Sequence, residues 1–376
     1  MHLVLDMIVN HVDYNAPMVQ EKPEWFHPYP AIQDWSNPLQ IERYRVHGLP
    51  DFAQENPDVA RYLTEMSKWW IDQIHPVGFR LDAVKHVPLS FWKHYNRAMR
   101  EHAGNDFFIL GELLDGDPLT CSRYLNEGQF SSLFDFPFHF VLKRVIAQQA
   151  SAEQLGTLFY NDRLYERPQF LATLLDNHDL ERFLSSVQGD IEKLKLALAF
   201  LFTVRGIPTI YYGTEVGLTG EREPFNRSDM NFDLAPSLRE HVRKLIGLRL
   251  GSSALTTGKQ VHLHQTPSSY VFARISFDQV SVVAANVRTK ESSLDIPLQF
   301  LSSCLPEGKA TDALGGVEAV VAEGRMRLTL PGLGCAVFPF APGLKELNAL
   351  QKRYEEEREK TRSEEHTSEL QSRQSI

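Results

Sequence analysis

Acids, histidines and cations recur together at four places in this chain. Asp6 is followed by Asn10 and His11. Arg80 and Asp82 are followed by Lys85 and His86. Glu112 follows the apolar run Phe107-Phe108-Ile109-Leu110, and Asn177-His178-Asp179 close another apolar run. A single acid after a hydrophobic run is ordinarily a helix cap. Four runs that each end in Asp or Glu, with histidines or basic residues beside them, exceed what capping requires. Such a carboxylate cluster has two main enzymatic uses: binding a hard cation and hydrolysing glycosides. Arg80 and Asp82 are separated by one residue, so on a strand they face the same side. A guanidinium there would hold Asp82 ionised, as a nucleophile requires. Partial desolvation of Glu112 would suit a general acid. That division of labour between two carboxylates is how glycosidic bonds are cleaved. A metal-dependent hydrolase is a poor fit, because no HExxH motif is present.

The elements that must position these groups alternate between short apolar strands and amphipathic helices. The sequence predicts strands at 2–6, 78–82, 107–113, 131–138, 170–176 and 208–213, each nearly continuous in hydrophobicity, as when both faces are covered. Helices are predicted from Asn56-Pro57, with Val59, Tyr62, Leu63, Met66 and Trp70 at helical spacing, from Ser90 to about His102, from Asp190 to about Arg205, and over about 236–250. Alternation of this kind means a parallel sheet with right-handed crossovers. Residues 12–55 break it. They are rich in proline and aromatics, show no clear helix, and read as a long excursion from the first strand. Residues 255–342 switch to period-two strands, as in an antiparallel β-sandwich.

Composition narrows the class. The chain has 376 residues, 43% hydrophobic and 11% aromatic, with net charge −9. That suits a globular enzyme of more than one domain and argues against a nucleic-acid-binding surface. No apolar run reaches the ~18 residues of a membrane span. Three scattered cysteines, Cys121, Cys304 and Cys335, argue against a disulfide scaffold. The N-terminus lacks the basic and small-residue features of a signal peptide and reads as a buried strand already in progress, so it says nothing about export. A charged helix is expected over 343–361. The string RSEEHTSELQS at 362–372 reads as translated sequencing-adapter DNA, and 362–376 is set aside from the fold.

In order and register, these motifs resemble the α-amylase family of glycoside hydrolases. DMIVNH (6–11), LPDF (49–52), GFRLDAVKH (78–86), ILGELL (109–114), LLDNHD (174–179) and GIPTIYYGTE (206–215) each resemble one of its signatures. The resemblance covers about 1–342 and implies a (β/α)8 TIM barrel over 1–254. It implies a small B-domain excursion at 12–55 and a C-terminal β-sandwich at 255–342. It makes strand 2–6 the third barrel strand, so the first two strand–helix units are expected to be missing, leaving 2–6 and 208–213 as edges. By resemblance, Asp82 is the nucleophile, Glu112 the acid/base and Asp179 the third acid. Arg80 positions Asp82, and Asp6 braces Arg80. His11 and His178 are donors to substrate, and Lys85 and His86 line the acceptor side. Asn10, Asp51 and the His86 backbone carbonyl match positions that hold a structural calcium ion, whose hardness suits oxygen ligands. The implied partner is an α-glucan or maltooligosaccharide. The implied reaction is retaining α-1,4 hydrolysis; a transglycosylase or a trehalose synthase-type isomerase of the same family is the alternative. Trp69 and Trp70 read as helix core, and Trp25, Phe26, Tyr29 and Trp35 are candidates to stack on sugars. LPDF carries Phe52 where leucine is commoner, which leaves the subfamily open.

Overall fold

The computed structural model describes residues 1–343, 346–349, 352 and 356. The expected tail at 362–376 and most of the charged segment 343–361 lie outside the described residues. The chain forms two compact units, residues 1–137 with 164–172, and residues 138–163 with 173 onward. No helix among the described residues is long and apolar enough to cross a membrane.

In the first unit, strand β1 (Val4–Met7) leads through short helices α1 (Met18–Glu21) and α2 (Pro38–Arg43) to α3 (Pro57–Ile74). Then come β2 (Gly78–Leu81), α4 (Leu89–Ala103), β3 (Phe108–Gly111), α5 (Pro118–Glu127) and β4 (Ser132–Leu133). The strands form one parallel sheet in the order β1-β2-β3-β4. Helices α2, α3 and α5 start alike: Asn37, Asn56 or Asp117 accepts backbone N–H bonds, and proline follows at the first helical position. Gly111 lets the sheet close over its neighbours, since a Cβ there would lie 2.6 Å from Leu133 and 2.8 Å from the Phe130 ring. The core packs Phe79, Leu81 and Ile109 of the strands against Val59, Leu63, Trp92, Tyr95 and Met99 of the helices.

Three expectations need correction here. The excursion is not free of helix, because α1 and α2 lie within it. The predicted strand 131–138 is only two residues long, and helix α6 (Phe136–Ile146) starts inside it. On α3 the buried stripe is Val59, Leu63, Ser67 and Ile71. Tyr62 and Trp70 are off that stripe, and Trp69 is 52% exposed, so neither tryptophan is core; their rings meet edge to face at 4.9 Å.

The second unit holds the rest of α6, α7 (Glu153–Tyr160), β5 (Ala172–Leu174), α8 (Phe183–Ser186), α9 (Ile191–Thr203), β6 (Ile207–Thr209), α10 (Pro236–Leu250) and α11 (Ser253–Thr257). Strand β5 spans the division between the units and pairs with β6. Two four-stranded antiparallel sheets follow. One is β14 (Cys335–Phe340), β9 (Val280–Asn286), β8 (Ser269–Ile275) and β7 (Lys259–Gln265). The other is β10 (Ser292–Pro297), β13 (Arg325–Leu330), β12 (Glu318–Ala322) and β11 (Gly308–Thr311). Strand alternation gives β8 and β9 two buried faces. Val271, Ala273, Val282 and Ala284 face the second sheet, while Tyr270, Phe272, Val283 and Ala285 join α6, α7 and α9 in another core. Fully buried Arg274 fastens this junction: its guanidinium donates to the carbonyls of Thr203 (2.7 Å) and Gly258 (2.9 Å).

Candidate active site

The ladder of the first unit delivers four charged side chains, Asp6, Arg80, Asp82 and Glu112, to one point. Asp6 stands opposite Arg80, Arg80 opposite Leu110, and Leu81 opposite Gly111. Pairing runs one residue beyond each strand, with Asp82 N–H donating to the Met7 carbonyl (3.2 Å) and Glu112 N–H to Leu81 (2.8 Å). Asp82 and Glu112 therefore leave the carboxyl ends of adjacent parallel strands, where α/β folds place their chemistry. Ala83 follows Asp82 at φ 50°, a left-handed conformation that turns the chain sharply away.

One guanidinium organises the acids. Arg80 Nη1 donates to Asp6 Oδ1 at 2.8 Å and to Asp82 Oδ1 at 2.6 Å, and Nη2 pairs directly with Glu112 Oε2. Burial opposes the charge on Arg80, but Glu112, Asp82 and Asp6 together outweigh it and raise its pKa further. The cation expected to serve Asp82 is thus shared with Glu112, so the acid is not the lone desolvated group its apolar approach suggests.

Histidines and a lysine surround this cluster. Burial lowers the His11 pKa, against the attraction of Asp82. Burial likewise lowers His86, whose Nδ1 donates to the Ile41 carbonyl at 2.8 Å and whose ring meets Trp35 edge to face at 5.9 Å. Lys85 pairs with Asp115 at 2.9 Å, a partner that the sequence does not single out. Of the candidate sugar-stacking rings, Trp25 and Phe26 are buried, and Phe26 stacks on Phe52 at 4.8 Å. Tyr29 stacks on Tyr44, and only Trp35 is largely exposed.

Asn10 and Asp51 lie fully buried where the excursion rejoins β1, tied by Phe52 N–H donating to the Asn10 carbonyl. His27, unnoticed in the sequence, bridges Asp51 Oδ2 (2.6 Å) and Glu55 (2.9 Å) through its two ring nitrogens. Burial pushes the Asp51 carboxyl up to about 6, with His27 working against it. Burial works against the charge on His27 as well, but hydrogen bonds to Asp51 and Glu55 prevail and raise its pKa. No group of three or more His, Cys, Asp or Glu among the described residues is arranged to hold a metal ion. Yet Asn10 Oδ1 and Asp51 Oδ1 are buried oxygens without hydrogen-bond partners, the donor type that calcium takes.

In the second unit, the segment after β5 carries Asp176, Asn177, His178 and Asp179. Buried Asp176 accepts from Phe183 N–H (2.8 Å) and the Thr214 hydroxyl (2.7 Å), and burial raises its pKa. Asn177 Oδ1 accepts the N–H groups of Asp179 and Leu180. Arg227 donates to Asp179 Oδ1 at 3.0 Å and to the His178 carbonyl at 3.1 Å, and Asn226 donates to that carbonyl at 2.8 Å. His178 Nε2 lies 3.1 Å from the other Asp179 oxygen. Arg227 and Asn226 lie almost fifty residues further along the chain, and the sequence holds no local signal for either contact.

Residues 1–247 match the family model of the alpha amylase catalytic domain. A beta/alpha-amylase of Paenibacillus polymyxa is 33% identical over 301 residues, covering 76% of this chain and 24% of that protein. A cyclomaltodextrin glucanotransferase of Niallia circulans is 32% identical over 277 residues, covering 72% and 38%. The chain spans well under half the length of these two relatives. Among solved structures, the alpha-amylase of Geobacillus thermoleovorans complexed with acarbose superposes with a TM-score of 0.83 at 34% identity, covering 90% of this chain and 77% of that one.

Proposed function

The chain belongs to the α-amylase family of glycoside hydrolases, and on that premise we propose that it cleaves α-1,4-glucosidic bonds in α-glucans with retention. The observation that carries this reading is the single guanidinium of Arg80 paired with both Asp82 and Glu112. Two carboxyls spanned by one guanidinium suit the ~5–5.5 Å separation of retaining enzymes rather than the wider gap that admits a water. In this reading β1 is the third strand of a (β/α)8 barrel. Asp82 attacks the anomeric carbon as the bond to the leaving oxygen breaks, and Glu112 protonates that oxygen. Glu112 then removes a proton from water as the water opens the glycosyl ester. Asp179, held by Arg227, grips hydroxyls of the distorted sugar. His11 and His178 donate to substrate, and Lys85 and His86 line the acceptor side.

The similarity to a cyclomaltodextrin glucanotransferase favours a second reading, in which a sugar hydroxyl replaces water in the last step. Products from maltoheptaose separate the two. Hydrolysis gives only shorter reducing chains, whereas transfer also gives longer or cyclic products. An absence of any cleavage would refute both.

Asn10 and Asp51, with the His86 carbonyl, are the residues that would hold a calcium ion, and their unpartnered buried oxygens support it. The ion would supply a structural cross-link between the excursion and the end of β1.

A further inference from the structure

The turn after β5 presents His178 and Asp179 on side chains 37% and 49% exposed, so burial alone does not fix them. A reacting group displaced by ~1 Å loses ~10²-fold in rate, so something else must hold the turn. Its N–H groups are served locally, since Asn177 Oδ1 accepts from Asp179 at 2.9 Å and from Leu180 at 3.0 Å. Its carbonyls are served from a distance. Asn226 Nδ2 donates to the His178 carbonyl at 2.8 Å and to the Leu180 carbonyl at 3.0 Å, so one carboxamide spans both ends of the Asp179 backbone. Asn226 is only 2% exposed, and its Oδ1 is buried without a partner. The donor end of this side chain is therefore the end in use, at the cost of an unsatisfied acceptor.

Asn226 is itself anchored. Its backbone carbonyl accepts from Arg182 Nε at 2.8 Å, and Arg182 Nη1 donates to the Tyr212 carbonyl at 2.6 Å. The Arg182 backbone N–H donates to the Gly220 carbonyl at 2.8 Å. This guanidinium is fully buried and lies 3.9 Å from the centre of the Tyr211 ring. A buried cation whose hydrogen bonds go only to carbonyls is costly. Its position explains the expense. Arg182 lies three residues beyond Asp179, so it ties the loop 220–226 to the chain that carries the turn, and Asn226 closes the circuit by returning to that turn. Gly220 permits the close approach, because a Cβ there would lie 2.4 Å from the Phe225 carbonyl oxygen and 2.6 Å from Asn226 Cα.

We propose that Asn226 is a positioning residue for the third acid: anchored by Arg182, its carboxamide clamps the His178 and Leu180 carbonyls and so fixes where the Asp179 carboxylate meets substrate. The consequence for catalysis rests on the proposed function; the clamp rests on the hydrogen bonds alone.

The test compares Asn226→Asp with Asn226→Ala by hydrolysis of a nitrophenyl maltooligoside at pH 8 and by amide hydrogen exchange. Asn226→Asp keeps the shape but turns an oxygen toward both carbonyls, and with Arg182 and Arg227 beside it the new carboxyl is ionised at that pH. A side chain that merely filled space would make Asp mild and Ala severe. The clamp reverses the order: kcat should fall about 10²-fold in Asn226→Asp and about tenfold in Asn226→Ala, with KM moving less than about threefold. Exchange of the peptide 177–182, which holds the bonded N–H groups of Asp179, Leu180 and Arg182, should quicken about tenfold in both variants while that of α9 is unchanged. A loss in Asn226→Asp smaller than in Asn226→Ala, a loss borne by KM, or unchanged exchange at 177–182 would overturn the clamp. If neither variant folds, the wild type decides, and protection of 177–182 less than about tenfold above that of an unstructured peptide would overturn it. Asn226-dependent exchange in a protein whose wild type hydrolyses no glucan would uphold the clamp and refute the proposed function.

Discussion

Replacing Arg80 with methionine keeps much of the side-chain volume and deletes the charge that Asp6, Asp82 and Glu112 share. The three contacts are unequal. Asp6 has a 54% exposed side chain, so its contact is worth at most ~1 kcal/mol after solvent screening. Asp82 and Glu112 have side chains only 17% and 10% exposed, and Arg80 itself 11%. At an effective dielectric of ~20, charges ~4 Å apart attract by ~4 kcal/mol, and stripping one partner from a buried pair typically costs ~3–5 kcal/mol. Part of this falls on folding and part on the transition state. If most falls on the reacting carboxylates, kcat drops by ~10²–10³, equivalent to about 2.7–4 kcal/mol. KM should move by less than about threefold, because Arg80 acts through Asp82 and Glu112 rather than on bound sugar. Arg80→Lys should recover about tenfold, since an ammonium restores charge but not the fork that reaches two carboxylates. Asp6→Asn should cost less than about threefold. The assay is steady-state hydrolysis of a nitrophenyl maltooligoside, with melting curves to separate folding from catalysis. An Arg80→Met enzyme within tenfold of wild-type kcat, or an Asp6→Asn loss as large as that of Arg80→Met, would refute the reasoning.

Asp82→Asn and Glu112→Gln should each keep the fold and lose at least the ~10²–10⁴-fold that acid–base catalysis alone provides; activity within tenfold of wild type in either would remove the assignment. EDTA should lower the melting temperature and added calcium should restore it, whereas an unchanged melting curve would exclude a structural ion at Asn10 and Asp51. Burial pulls His139 down to about 4, against the hydrogen bond from its Nδ1 to the Leu175 carbonyl. Because its folded value is depressed, its contribution of up to about 3 kcal/mol is complete above pH ~6.5 and is lost as pH falls toward 4. His139→Asn should flatten the dependence of melting temperature on pH across that window, and an unaltered slope would count against it.

The strand ends and their acids were legible because each strand is a short apolar run followed directly by its charged residue. The pairing of Arg80 with Asp82 followed from strand alternation alone. Its extension to Glu112 did not, because it depends on the register between β2 and β3. The first turn of helix α6 reads as the end of a strand because Phe134, Phe136 and Phe138 fall at every second position, a spacing that fits a strand as readily as the start of a helix. On α3 a second apolar flank with Tyr62, Met66 and Trp70 obscured which stripe faces inward. Arg227, Asn226 and His27 act across loops, where sequence spacing carries no geometric information.

The double-faced packing of β8 and β9 bears on exchanging parts between enzymes. A boundary at residues 254 and 255 invites treating the sandwich as a module to transplant. That cut would sever the Arg274 bond to Thr203, the Arg205 N–H bond to Gln260, the Ala152 N–H bond to Pro267 and the Arg288 bond to Ala150. It would also part Tyr270 and Phe272 from the α6, α7 and α9 residues with which they share a core. A chimera with a foreign sandwich would therefore inherit buried carbonyls without donors and an apolar surface without its complement. Recombination in this chain should instead keep residues 138–163 and α9 with their own β8 and β9, so the natural crossover points lie in the loops of the second sheet.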